Sequence, residues 1–182
     1  MHTQNKFIVL EGTMGSGKTT LAKMLAERLG GVYYNTPASF RESRPVADKC
    51  LSIKARYHFY LSLNFQVSSE IGELLKEKTV VCDKYIWSTF CYHKTFGLNL
   101  PYFHKLDILM PDFCFLIICE DQVRLERISK RDPTNDYSKD FVRQESERRC
   151  LDEFKSVLPD VIIDNSSDGP QKAFFEIISI IK

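Results

Sequence analysis

Neither sign of charge dominates this chain: 25 lysines and arginines face 24 aspartates and glutamates, a formal net charge of +1. That balance offers no whole-molecule field for nucleic acid or an anionic membrane, though a local basic cleft stays open. Nowhere does an apolar run approach the ~20 residues that span a bilayer, and Met1 to Lys6 show no signal-peptide core. A cytoplasmic protein that binds neither membrane nor nucleic acid is expected. The cysteines at 50, 82, 91, 114, 119 and 150 include no C-x-x-C pair, and several lie in apolar runs. Reduced, buried thiols are expected, and the scattered histidines and cysteines give no zinc pattern. Glycine is scarce too, eight residues in 182, yet three of the eight fall between positions 12 and 17.

That crowding marks the most informative segment. Gly12-Thr13-Met14-Gly15-Ser16-Gly17-Lys18-Thr19-Thr20 fits G-x-x-x-x-G-K-[ST]. The apolar, β-prone run Phe7-Ile8-Val9-Leu10 precedes it, and a helical pattern from Leu21 to Leu29 follows, closed by a glycine pair. Strand, loop and helix form the context this motif needs. Glycines let backbone N–H groups converge on phosphate oxygens, Lys18 reaches the terminal phosphates of ATP, and the Thr19 hydroxyl ligates Mg²⁺.

At 182 residues one domain is expected. Strand and helix signals alternate along the chain, predicting an α/β three-layer fold with a parallel five-stranded sheet and helices on both faces. The predicted strands are 7–10, 32–34, 79–83, 113–118 and 161–164. Helices are predicted over 56–78, 121–130 and 139–154, with Pro45 and Pro170 opening two more. The almost unbroken apolar run 113–118 suits a strand covered on both faces. Ligands of such sheets sit at the carboxyl ends of the strands, where Gly12, Thr36, Asp83, Glu120 and Asp164 fall.

A phosphoryl-transfer enzyme must hold Mg·ATP, neutralise the moving charge and orient an acceptor. Asp83 at a strand end supplies a carboxylate for Mg²⁺, and Lys84 beside it a cation for an acceptor phosphate or the transferring group. Arg124, Arg127 and Arg131 are spaced to share a helix face, and a polar break follows at Pro133. A basic lid over about 127–140 is expected there, with Arg127 and Arg131 its main members; a solvated charge stripe is the plain alternative. On the acceptor side, Phe59, Tyr60, Asn64, Phe65 and Gln66 mix aromatic faces with amides that could read a base or simply pack. Arg41, Arg44 and Arg56 offer guanidinium groups for an acceptor phosphate or face solvent. Tyr92 and His93 follow Asp83 by one helix length and could reach a sugar.

These residues resemble the thymidylate kinase and deoxynucleoside kinase group over nearly the whole chain. The resemblance rests on Phe7-Ile8-Val9-Leu10-Glu11-Gly12, on Cys82-Asp83-Lys84-Tyr85-Ile86-Trp87-Ser88-Thr89 with Cys91-Tyr92-His93, and on Arg127-x-x-x-Arg131. It implies that Lys84 holds the acceptor 5′-phosphate, that Tyr92 guards against a ribose 2′-hydroxyl, and that 162–166 is the adenine-side loop. Related enzymes are often dimeric, so a homodimer is expected. Three positions depart from the thymidylate kinase pattern: Met14 stands where Asp is usual, Thr36-Pro37 where Glu-Pro is usual, and Lys84 in place of Arg. Lysine there exchanges a bidentate fork for a point charge. Phe65-Gln66 is similar to the base-reading Phe-Gln of deoxynucleoside kinases.

The first functional expectation is therefore ATP-dependent phosphorylation of a nucleoside monophosphate, whose phosphate is already ionised and needs no general base. The second is a nucleoside kinase acting on a 5′-hydroxyl, with Asp83 as base. A non-catalytic nucleotide-binding module is the third. Its weakness is the absence of an Asn-Lys-x-Asp guanine signature and the lack of purpose it leaves for the lid arginines.

Overall fold

The computed structural model describes residues 4–35, 40–100, 106–133, 140–158, 161–167 and 169–181. Its strands are β1 (Phe7–Glu11), β2 (Val32–Tyr34), β3 (Val80–Asp83), β4 (Phe113–Ile118) and β5 (Ile162–Asp164). Its helices are α1 (Lys18–Arg28), α2 (Ser43–Cys50), α3 (Ile53–Leu74), α4 (Ile86–Thr95), α5 (Asp121–Arg131), α6 (Phe141–Val157) and α7 (Gln171–Ile181). All strand pairs are parallel and the order is β2-β3-β1-β4-β5. The expected three-layer architecture is found.

Strand alternation sorts the core into two layers. Phe7, Val9, Cys82 and Leu116 face α3, α4 and α6 through Val67, Ile71, Ile86, Phe90, Cys150 and Phe154. Ile8, Leu10, Val81, Phe115 and Ile117 face α1 and α7 through Leu21, Leu25, Phe174 and Ile177. Every residue of β1 is buried, which suits the middle strand of a doubly covered sheet. β4 is interior as expected, one place from the middle.

Several helices differ from their predicted bounds; α1 begins at Lys18 rather than 21 and α6 runs to Val157 rather than 154. Helix α3 starts at Ile53 rather than 56, because Ser52 caps it: its Oγ accepts the Ala55 N–H at 3.3 Å. It ends at Leu74, and residues 75–78 close a turn through bonds such as Lys78 N–H to the Leu74 carbonyl. Pro45 is the third residue of α2 rather than its first. All six cysteines are free; Cys82, Cys91 and Cys150 are buried, whereas Cys50 is exposed. Among the described residues no helix is long and apolar enough to cross a membrane. Thr36, Pro37 and the middle of the expected lid, 134–139, lie outside the described residues.

Candidate active site

The loop between β1 and α1 ends on Gly17, whose left-handed φ of 90° turns the chain into the helix. The first turn of α1 has no side-chain cap and no acidic residue, so its N–H groups face the loop cavity, ready for an anion. Lys18 is 6% exposed; its Nζ donates to the Thr13 carbonyl at 2.6 Å and to Ser16 Oγ at 3.2 Å. Burial, then the charge of Lys84, lowers its pKa from 10.5 to about 8. Thr20 and Thr19 are exposed on the first turn. Thr19 Oγ1 donates to Asp83 Oδ2 at 2.5 Å, and the Tyr33 hydroxyl reaches the same oxygen at 3.4 Å.

Asp83 ends β3, and Lys84 turns the chain away with φ 72°, a left-handed conformation that costs a lysine strain. A hydrogen bond from its N–H to the Leu10 carbonyl, 3.0 Å, pins that turn to β1. The Lys84 ammonium sits 5.2 Å from the centroid of the Tyr92 ring. Beneath it lies Glu11, fully buried, which accepts Tyr85 N–H at 2.8 Å, Ser88 N–H at 3.2 Å and the Ser88 hydroxyl at 2.6 Å. Desolvation outweighs those donors and raises its pKa from 4.5 to about 7.

From Lys18, Thr19 and Asp83 a cleft of about 490 Å³ runs over Lys84 to a wall built by α3 and α4. Arg56, Tyr60, Leu63, Asn64 and Val67 line it from α3; Ser88, Thr89, Tyr92, His93 and Phe96 line it beyond Lys84. Asn64 is held inward by Nδ2 bonds to the Tyr60 carbonyl and Thr89 Oγ1, both 2.8 Å. His93 Nδ1 bonds the Thr89 carbonyl at 2.7 Å, which puts the proton on Nδ1, and buried Nε2 has no protein partner. Burial lowers its pKa, keeping the ring neutral.

Two acceptor-side expectations are corrected. Gln66 is exposed and does not line the cleft; its amide donates to Glu70 at 2.8 Å on the same helix. Phe65 is 41% exposed beside it. At 100° per residue, Asn64 and Gln66 cannot share a face. Arg41 is exposed and does not line the cleft, whereas Arg44 does, its guanidinium 5.5 Å from the Tyr60 centroid.

The three arginines of α5 do separate jobs. Arg124 is 3% exposed and paired with Asp121 at 3.0 Å, with Nη1 3.4 Å from the Met14 carbonyl. A Cβ on Gly15 would meet Arg124 Cγ at 2.7 Å, so the loop is glycine there for packing as well as for phosphate. Arg127 contacts Cys119 Sγ at 3.3 Å and the Ser167 carbonyl at 3.4 Å, beside the loop. Arg131 alone lines the cleft, exposed at its rim. Sequence reasoning missed two contacts at the loop, one of them from the segment 162–166 expected on the adenine side. Glu147 of α6 accepts Met14 N–H at 3.1 Å, and Asn165 donates to the Ser16 carbonyl at 2.8 Å. Their partners lie 133 and 149 residues away, and no local signal marks them.

The thymidylate kinase family model matches residues 10–169. A probable thymidylate kinase of Methanocaldococcus jannaschii is 27% identical over 98% of this chain and 96% of its own length. The thymidylate kinase of Rickettsia canadensis is 31% identical over 74% of this chain and 75% of its own length. Among solved structures, the Candida albicans thymidylate kinase shares the fold with TM-score 0.74, at 20% identity, over 98% of this chain and 91% of the other. A deoxyadenosine kinase from M. mycoides, solved with bound dATP, does so with TM-score 0.69, at 14% identity, over 96% and 98%. The chain belongs to the thymidylate kinase family, P-loop kinases that transfer the terminal phosphoryl group of ATP to a nucleoside monophosphate.

Proposed function

We propose that this cleft phosphorylates the 5′-phosphate of a pyrimidine deoxynucleoside monophosphate, dTMP foremost, using Mg·ATP. One observation carries the reading: a single cleft joins the phosphate loop, Asp83 and Lys84 to a wall of aromatic rings and the Asn64 amide. Loop N–H groups and Lys18 hold the β- and γ-phosphates. Lys84 anchors the acceptor phosphate, and Arg131 at the rim offsets charge on the moving phosphoryl group. Tyr60, Asn64, Thr89 and His93 receive the base, and the Tyr92 ring crowds the sugar.

The residues fit Mg²⁺, a hard cation that takes oxygen ligands and keeps several waters. Thr19 Oγ1 and Asp83 Oδ2 form the oxygen pair that would hold it, at the mouth of the loop. When bound it neutralises charge between the phosphates.

The carboxylates also favour a monophosphate acceptor over a nucleoside. A 5′-hydroxyl needs a base. Asp83 is engaged by Thr19 and Tyr33, and Glu11 by three donors behind the wall. Among the described residues, Asp48, the other acidic residue lining the cleft, accepts from the Tyr60 hydroxyl. An ionised phosphate attacks without such help. The reading is completed by a single catalytic domain, a homodimer and a cytoplasmic setting. The test is a panel of nucleosides and nucleoside monophosphates with Mg·ATP, followed by ADP release. Turnover of dTMP with none of thymidine is expected; the reverse preference would replace this reading with a nucleoside kinase.

A further inference from the structure

Three side chains from α5 and α6 converge on one residue of the phosphate loop, Met14. Arg124 Nη1 lies 3.4 Å from its carbonyl, Arg143 Nη2 lies 3.6 Å from its sulfur, and Glu147 Oε2 accepts its N–H at 3.1 Å. The Glu147 carboxylate faces two ways. It also receives the Tyr92 hydroxyl, 3.1 Å from each oxygen. Tyr92 lines the cleft and carries Lys84 over its ring, whereas Glu147, 6% exposed, does not line it. One buried carboxylate thus joins the donor loop to the acceptor wall from behind. Both of these donors are neutral, and burying a carboxylate is unfavourable. Its place is better explained by what it connects than by what it contributes to stability.

We propose that Glu147 is a positioning residue that couples the two substrate sites. Nucleotide in the loop fixes the Met14 N–H, which fixes the carboxylate, which holds the Tyr92 ring and the Lys84 ammonium in the orientation that accepts the second substrate. Each substrate then raises the affinity of the other by the same factor, as linkage requires. The inference rests on the acceptor monophosphate occupying the Tyr92 end of the cleft. Because Glu147 does not line the cleft, cutting the link leaves each end of it able to bind alone.

The test is calorimetric titration of dTMP, with and without saturating Mg²⁺ and a non-hydrolysable ATP analogue. It is run on the wild type, Glu147→Gln, Tyr92→Phe and the double variant. In the wild type the analogue tightens dTMP binding by about fivefold or more. Each single variant loses most of that gain. Glu147→Gln, which does not line the cleft, keeps its affinity for dTMP alone close to wild type, whereas Tyr92→Phe is read only as the ratio of its affinities with and without the analogue. The double variant loses no more than either single one, since both cut the same link. Should Glu147→Gln fold poorly in a melting scan, Tyr92→Phe carries the test, because it breaks one hydrogen bond and keeps the ring. Full coupling in the variants, or none in the wild type, overturns the inference. A wild type that binds the ATP analogue but no monophosphate removes the proposed acceptor instead.

Discussion

Glu11 Oε2 receives the Ser88 hydroxyl at 2.6 Å, and through that bond the last residue of β1 holds the first turn of α4. The carboxylate is fully buried, with its pKa raised from 4.5 to about 7. A carboxyl raised on folding contributes most stability below its unfolded pKa and loses it as pH rises through the folded one. Between pH 4.5 and about 7, wild-type stability should therefore fall, by roughly 3 kcal/mol from this group. Glu11→Gln should flatten that slope, whatever its own level of stability. Urea unfolding at several pH values across the window reads the slope. Parallel profiles would show that Glu11 is ionised throughout.

Lys18→Ala should abolish phosphoryl transfer, with a loss of about 10²–10³ or more in kcat as for a missing charge-stabilising donor. The fold should survive, because burial already disfavours this ammonium: its pKa is down to about 8. Turnover assays beside a thermal melt separate the two effects. A variant that keeps its turnover would place phosphate binding elsewhere.

Lys84 is a non-glycine residue at φ 72°. Lys84→Gly should relieve backbone strain that Lys84→Ala retains, leaving the glycine variant more stable by about 1 kcal/mol. Both lose the ammonium, so both should raise the KM for dTMP about tenfold or more while barely changing that for ATP. Equal melting temperatures would argue that the turn is not strained; an unchanged acceptor KM would remove Lys84 from the phosphate.

Arg131→Ala should lower kcat more than it weakens ATP binding, because the guanidinium stands at the rim of the cleft rather than in the loop. Arg124→Ala should differ in kind. Its side chain is buried against Gly15 and paired with Asp121, so the loss should appear chiefly as a lower melting temperature. Steady-state kinetics and melts on both variants decide, and a pure KM effect for Arg131→Ala would contradict its role.

The loop, the positions of the strands along the chain and the Asp83–Lys84 turn were legible because their chemistry is local. A glycine pattern, a strand end and a following cation are all visible within a dozen residues. The acceptor wall was only half legible. Tyr60 and Asn64 are four apart and share a face of α3, so both line the cleft, while Gln66, 200° from Asn64, points outward. The buried positions Tyr57, Leu63, Asn64, Val67 and Ile71 mark the inner face, and that spacing could have excluded Gln66. Glu147 and Asn165 could not be found this way. A glutamate on a charged helix and an asparagine in a loop become specific only when the fold brings Met14 and Ser16 beside them.

Asn165 has a consequence for how the loop can vary. A Cβ on Gly17 would come within 2.2 Å of the Asn165 amide nitrogen, in a backbone conformation that side chains avoid. Gly17 is thus demanded by the folded chain before any nucleotide arrives, and demanded again by the phosphate it must approach. Three constraints fall on a single position, so replacing Asn165 with a smaller residue would remove the clash and leave the left-handed backbone and the phosphate. A chain that relaxed one would still be bound by the others.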